Sequence, residues 1–164
     1  MKRNLINIAI ISLAGILVGA MAFSLTEAGV TATVTARKIA LTVSDGSIAY
    51  GSLDLGTSTS TLAAGLNDMQ TVTNTGSVAE DFNIKGTSTA DWILAGSIGS
   101  EQYKHEFSTT TGSTWTALTT NYQLSNSNIA SNATTSLDLQ ITVPSDTTHF
   151  GVQSPNVTVQ AVAH

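Results

Sequence analysis

The chain has 164 residues, no cysteine, 6 basic and 11 acidic residues, and a formal net charge of −5 at neutral pH. This length fits one domain with a short terminal segment. The acidic excess repels phosphate groups and argues against nucleic acid as a partner, and the lack of cysteine excludes disulfides and thiol nucleophiles.

The first element is an apolar N-terminal segment of the kind that directs export. Lys2 and Arg3 precede an apolar run over residues 5–23, which contains the small-x-small pattern Ala20-Met21-Ala22. This pattern predicts a helical signal peptide over residues 1–22, cleaved after Ala22 to leave a secreted or cell-surface protein. A retained anchor is the alternative, because about 20 apolar residues span a bilayer. Only in that case does the protein contact a membrane, through this segment.

Residues 29–44 give the clearest strand signal in the chain, and its first half is residues 29–36. Val30, Ala32, Val34 and Ala36 alternate with threonines, as expected of a strand with one apolar face. The alternating apolar residues occupy even positions up to Ala36 and odd positions from Ile39 onward, so the apolar parity changes at Arg37-Lys38. Such a change indicates a bulge, a bend or a change of packing partner. Two interpretations follow. The strand either leaves its own domain and adds to a sheet of another copy, or crosses between two sheets of one subunit.

The next two runs predict a hairpin. Residues 39–43 and 48–55 flank Asp45-Gly46, a pair that favours the type I′ turn of two-residue hairpins. Gly51 lies where the second run changes parity, which predicts a bulge at that position.

The remaining chain alternates short apolar-periodic runs with turn signals. The strongest run is 137–143, where Leu137, Leu139, Ile141 and Val143 share one face, and Glu80-Asp81 is predicted as a solvated turn before a strand. Eight to ten short strands without a helix predict one all-β domain over residues 23–164. The predicted architecture is an antiparallel β-sandwich of jelly-roll or Greek-key type, and a closed barrel is the alternative.

No catalytic, cofactor or metal motif stands out. His105-Glu106 lacks the second histidine of a zinc protease helix, since position 109 is Thr109. His105 shares its parity with Tyr103 and Phe107, so we expect it to pack on a sheet face. The sequence predicts a protein that is not an enzyme, and an exported hydrolase is the less favoured alternative.

Two aromatic residues and two glycosylation sequons are the remaining candidate sites. Trp92 and Trp115 either pack in the core or face a ligand such as cell-surface polysaccharide. Asn132 and Asn156 each begin an Asn-x-Thr sequon, which is used only where the host glycosylates exported proteins.

Two short motifs resemble a known family. Gly51-Ser52-Leu53-Asp54-Leu55 and, further on, Val72-Thr73-Asn74-Thr75-Gly76-Ser77 are similar to motifs of the TasA/camelysin family of exported bacterial proteins, over residues 39–84. The resemblance implies a jelly-roll subunit of an extracellular fibre, whose N-terminal strand inserts into the next subunit. It therefore implies self-association into a homopolymer. The metalloprotease label attached to camelysins has no zinc motif to support it in this chain.

Overall fold

A computed structural model describes residues 27–164. The predicted signal peptide or anchor, residues 1–22, and its predicted helix lie outside the described residues. Residues 27–34 are exposed and belong to no strand. Residues 35–164 form a β domain whose described secondary structure consists of ten strands without a helix. The all-β prediction is therefore confirmed for this part of the chain.

The ten strands are short, as their closely spaced turn signals predict. In chain order they are β1 (Leu41–Val43), β2 (Ser58–Ser60), β3 (Gln70–Asn74), β4 (Glu80–Gly86), β5 (Ile93–Leu94), β6 (Gln102–Ser108), β7 (Thr116–Ala117), β8 (Gln123–Ile129), β9 (Thr134–Thr142) and β10 (Val157–Ala163).

The larger sheet has seven strands and is built around β9. Its order is β1-β3-β9-β6-β5, with β2 also paired to β9 and β7 to β6. All its strand pairs are antiparallel except β5 with β6, which run parallel. Leu137, Leu139 and Ile141 of β9 are buried, because the alternation of this run turns every second side chain to the core.

The smaller sheet has three strands in the order β10-β4-β8, all antiparallel. β10 pairs with β4 over seven residues, from Val157 opposite Gly86 to Ala163 opposite Glu80. Phe82 and Ile84 of β4 are fully buried. They join Tyr103, Phe107 and the β9 residues in one hydrophobic core to which both sheets contribute.

The predicted hairpin of residues 39–43 with 48–55 is wrong. The type I′ turn does not form, because Gly46 has a φ of +72° but Asp45 does not have a positive φ. Instead, the Asp45 side chain accepts a local hydrogen bond from the Ser47 amide at 2.8 Å. β1 pairs with β3, and residues 46–54 belong to no strand.

The prediction of a solvated turn at Glu80-Asp81 is also wrong at Glu80. Glu80 is the first residue of β4 and its side chain is fully buried. Its Oε1 accepts a hydrogen bond from the Ala40 amide at 2.9 Å, so the carboxylate binds the chain just before β1. A buried polar atom needs a hydrogen-bond partner, and the Ala40 amide supplies one for Oε1, whereas the buried Oε2 has none among the described residues.

Glu80 belongs to a clamp, formed by residues 74–80, that holds residues 38–40. The Thr75 amide donates to the Ala40 carbonyl at 2.8 Å, and the Ser77 amide donates to the Lys38 carbonyl at 2.9 Å. The buried Asn74 amide group closes the turn, because its Nδ2 donates to the Val78 and Ile129 carbonyls. Residues 74–77, which belong to the second of the two short motifs, thus hold residues 38–40 directly before β1.

Candidate functional site

The main candidate site is an open cavity of about 890 Å³ in the β domain. Protein interiors contain few voids larger than a water molecule, so a cavity of this size marks an incomplete core. The part of its wall that the two sheets and the end of β9 contribute is mainly aliphatic: Leu137, Leu139, Ile141, Val143, Val157 and Val159. Polar side chains, among them Gln70, His105 and Gln153, line the rest.

The cavity exists because the smaller sheet is too narrow to cover the larger one. Three strands face seven, and β10 is an edge strand that pairs only with β4 among the described strands. Its other edge presents unpaired backbone groups next to the cavity wall, since Val157 and Val159 belong to both. An unpaired edge is a template for an added strand.

A segment without secondary structure, residues 46–56, lies along the cavity and is called here the covering segment. Ile48, Tyr50 and Leu53 are half-buried against the core. The Tyr50 hydroxyl forms a hydrogen bond with Nε2 of His105, 3.0 Å away. The predicted bulge glycine, Gly51, has a φ of +75° in this segment, although no strand surrounds it.

A second irregular segment, residues 147–156, forms part of the rim and is called here the rim loop. Its base is fixed by Glu101, whose Oε1 accepts from the Thr148 amide at 2.7 Å and whose Oε2 accepts from the Thr147 hydroxyl at 2.5 Å. These hydrogen bonds hold the pKa of Glu101 below its usual value. The tip of the rim loop is apolar and free, with Phe150 78% and Val152 97% exposed.

His105 is the one histidine that lines the cavity from a sheet strand. Its side chain is 2% exposed, as expected for a residue packed on a sheet face, and Nδ1 has no hydrogen-bond partner among the described residues. Burial lowers the pKa of His105 from 6.5 to about 4 and raises the pKa of its neighbour Tyr50. Both side chains are therefore uncharged at neutral pH, as an apolar cavity requires.

This shift predicts that stability depends on pH through His105. The unfolded chain binds more protons than the folded one between pH 6.5 and pH 4, so the free energy of unfolding falls as pH falls through that window. Between pH 7 and pH 4.5 we expect wild type to lose about 2 kcal/mol more than His105→Gln, which cannot titrate but can still accept from Tyr50. Urea unfolding of both proteins at both pH values measures the difference, and equal losses would contradict it.

The structure separates the two candidate tryptophans. Trp92 is half-buried, lines the cavity, and donates from Nε1 to the Thr147 hydroxyl at 3.1 Å. Trp115 does not line the cavity; it is half-buried close to Gly112, in the turn before β7. The two rings therefore do not form one platform.

The other predicted residues also lie apart from one another. Asn156 is exposed on the cavity rim, whereas Asn132 is exposed in the turn before β9. The predicted assembly strand, with Val30, Ala32, Val34 and Ala36, is exposed and belongs to no described strand, with Val30 95% and Val34 97% exposed.

Sequence reasoning missed the cavity, the covering segment and the role of Tyr50. No linear pattern reports a cavity, since its wall comes from residues more than a hundred positions apart. The burial of Glu80 could have been predicted from the sequence. Glu80, Phe82 and Ile84 occupy every second position of β4, so their side chains point to the same, buried face.

Within residues 27–164, no cluster of three His, Asp or Glu side chains is arranged to hold a metal ion. In the same range, no helix is long and apolar enough to cross a membrane. Comparison with protein-family models, with curated proteins and with solved structures gives no match.

Proposed function

We propose that the protein is a secreted, non-enzymatic structural subunit that polymerises into a cell-surface or extracellular fibre by β-strand addition. Residues 29–36, the donor segment, enter the cavity of a second copy and pair with the free edge of its β10. The observation that supports this proposal best is the presence in one chain of an open apolar cavity beside an unpaired edge and of an exposed, strand-patterned segment.

The donor segment has the length and pattern that the cavity requires. Residues 30–36 in an extended strand span about 23 Å, at ~3.3 Å per residue, and β10 also has seven residues. Val30, Ala32, Val34 and Ala36 would face the apolar wall, and the threonines between them would face solvent. With this strand added, the smaller sheet would have four strands and would cover more of the larger one.

The distribution of charge also favours association of the donor segment with a second copy. Without residues 1–22 the chain keeps four basic residues, 6 minus Lys2 and Arg3, against 11 acidic residues, for a formal charge of −7. Two of those four, Arg37 and Lys38, follow the donor segment directly. The positive end of the N-terminal segment would therefore be attracted to the acidic surface of the next copy, an effect that raises association rates at low salt.

The proposal is tested by a charge placed on one face of the donor segment. We expect Val34→Asp to abolish filaments, because the carboxylate would be buried against an apolar wall. The matched control Thr33→Asp carries the same charge on the opposite face and should still polymerise. Because both positions are exposed in the monomer, neither change should alter the thermal unfolding midpoint.

Wild type and the two variants, each purified as a chain that begins at Phe23, are compared by electron microscopy and light scattering. The expected result is filaments for wild type and Thr33→Asp, and monomers for Val34→Asp. Filaments formed by Val34→Asp would contradict insertion of this face of the donor segment.

A polysaccharide-binding module is the second candidate, on the specific observation that Trp92 lines the cavity. In that case the tryptophan fluorescence should respond to a glycan panel, and Trp92→Phe should remove the response while Trp115→Phe keeps it. A fluorescence signal that no glycan changes would argue against this function.

A further inference from the structure

The covering segment is held to the sheets by few interactions, which sets it apart from the rest of the β domain. Between Ser47 and Leu55, no backbone amide or carbonyl forms a hydrogen bond with the described strands. The central strand β9, in contrast, pairs with β3, β2 and β6 along its length. Segments with so few hydrogen bonds open at low free-energy cost.

The covering segment is anchored at its two ends by glycines, since the Gly46 amide donates to Gln70 Oε1 at 3.1 Å and the Gly56 amide donates to the Pro144 carbonyl at 2.9 Å. Gly46 and Gly56 have φ values of +72° and +68°, a region that favours glycine. A Cβ atom built on either residue would meet no atom within 4 Å, so a larger side chain would not clash at these positions. The positive φ is therefore the reason that glycine is favoured there. Residues that absorb backbone rotation at the ends of a segment act as hinges.

One side-chain hydrogen bond joins the middle of this segment, residues 48–53, to the sheets within the described chain: Tyr50 to His105. The two rings also meet edge to face, with centroids 5.8 Å apart. Ile48 and Leu53 add apolar contacts on either side of Tyr50. The closed position of the covering segment therefore depends on Tyr50 more than on any other residue in it.

The covering segment lies where an added strand would need space. Residues 46–53 and Leu55 line the cavity that the donor segment would fill. An incoming strand would form a backbone ladder with β10, whereas the covering segment forms none. Exchange of one for the other thus gains main-chain hydrogen bonds, each of which favours the added strand.

We propose that the covering segment is a hinged cover that occupies part of the acceptor cavity in the free subunit and moves aside, about Gly46 and Gly56, when the donor segment of a second copy enters. The Tyr50–His105 hydrogen bond holds the segment in place and so slows strand insertion. This inference rests on the proposed function, because it describes regulation of the same cavity.

The first test uses the Val34→Asp protein as a monomeric background, so that polymerisation cannot interfere. Hydrogen exchange should show amides of residues 47–55 exchanging at least tenfold faster than those of β9, which is paired on both sides. Adding Tyr50→Phe should accelerate exchange of the covering segment about fivefold and leave β9 unchanged. Protection of residues 47–55 equal to that of β9 would overturn the hinged cover.

The second test adds a synthetic peptide of residues 27–38 to the same two monomers. We expect the peptide to bind the Tyr50→Phe form about fivefold more tightly than its parent, because less hydrogen bonding opposes opening. Equal affinity for the two proteins would overturn the role of Tyr50. Failure of the peptide to bind either protein would instead overturn strand insertion itself, so the two failures are distinguishable.

Discussion

Replacing Gly76 with alanine should destabilise the β domain by about 3 kcal/mol or more. A methyl group on Gly76 would overlap the Glu80 carboxylate and lie 2.5 Å from the Lys38 carbonyl oxygen. The clamp would have to open to accept it, and the buried Glu80 carboxylate would then lose the Ala40 amide as its donor. Urea unfolding at neutral pH measures this loss.

Gly96→Ala is the matched control for this substitution. A Cβ atom on Gly96 meets nothing within 4 Å, and Gly96 does not have a positive φ. We expect a change of less than about 0.5 kcal/mol there. Similar stability of the two variants would mean that the clamp does not constrain residues 38–40 as described.

A bulky group attached to residue 156 should abolish polymerisation while the subunit stays folded. Asn156 is exposed on the cavity rim, and the chain contains no cysteine, so Asn156→Cys can be labelled uniquely with a maleimide-linked polymer. The label would occupy the space through which the donor segment must pass. Filament yield, measured by pelleting and electron microscopy, should drop at least tenfold on labelling.

Thr120→Cys carries the same label as a control on an exposed turn that does not line the cavity. This protein should polymerise whether labelled or not. Inhibition of both labelled proteins to the same degree would point to a general effect of the polymer rather than to the cavity. A glycan on Asn156 in a glycosylating host would act in the same way as the label.

The strands that could be predicted from the sequence are those with an uninterrupted period of two. β9 lies where residues 137–143 alternate between apolar and polar side chains. A shift of the pairing by one residue would turn its leucines away from the core, so the alternation favours a single register. The same reasoning placed Tyr103, His105 and Phe107 on one face of β6, and all three are buried.

The failures come from interactions between distant residues. The runs that flank Asp45-Gly46 do not pair with each other, because β3 pairs with β1 and the covering segment is left outside both sheets. The alternation of β4 indicates that Glu80 faces the core, but the hydrogen bond to the Ala40 amide joins residues forty positions apart, which no local pattern reports. The cavity forms where the smaller sheet leaves part of the larger sheet uncovered. The widths of the two sheets depend on which strands pair, and sequence composition does not report that pairing.

The most direct test of strand addition is disulfide mapping between two differently labelled copies. Val34→Cys in one copy is mixed with a second copy carrying Cys at one of the three β10 residues that face the core: Val157, Val159 or Ala161. Adjacent strands bring Cβ atoms to about 5 Å, within reach of a disulfide after small adjustment. The account predicts a heterodimer dominated by one of these pairs, and only a weak product from Thr33→Cys. No cross-link from Val34→Cys to any of the three, under conditions in which the proteins polymerise, would contradict it.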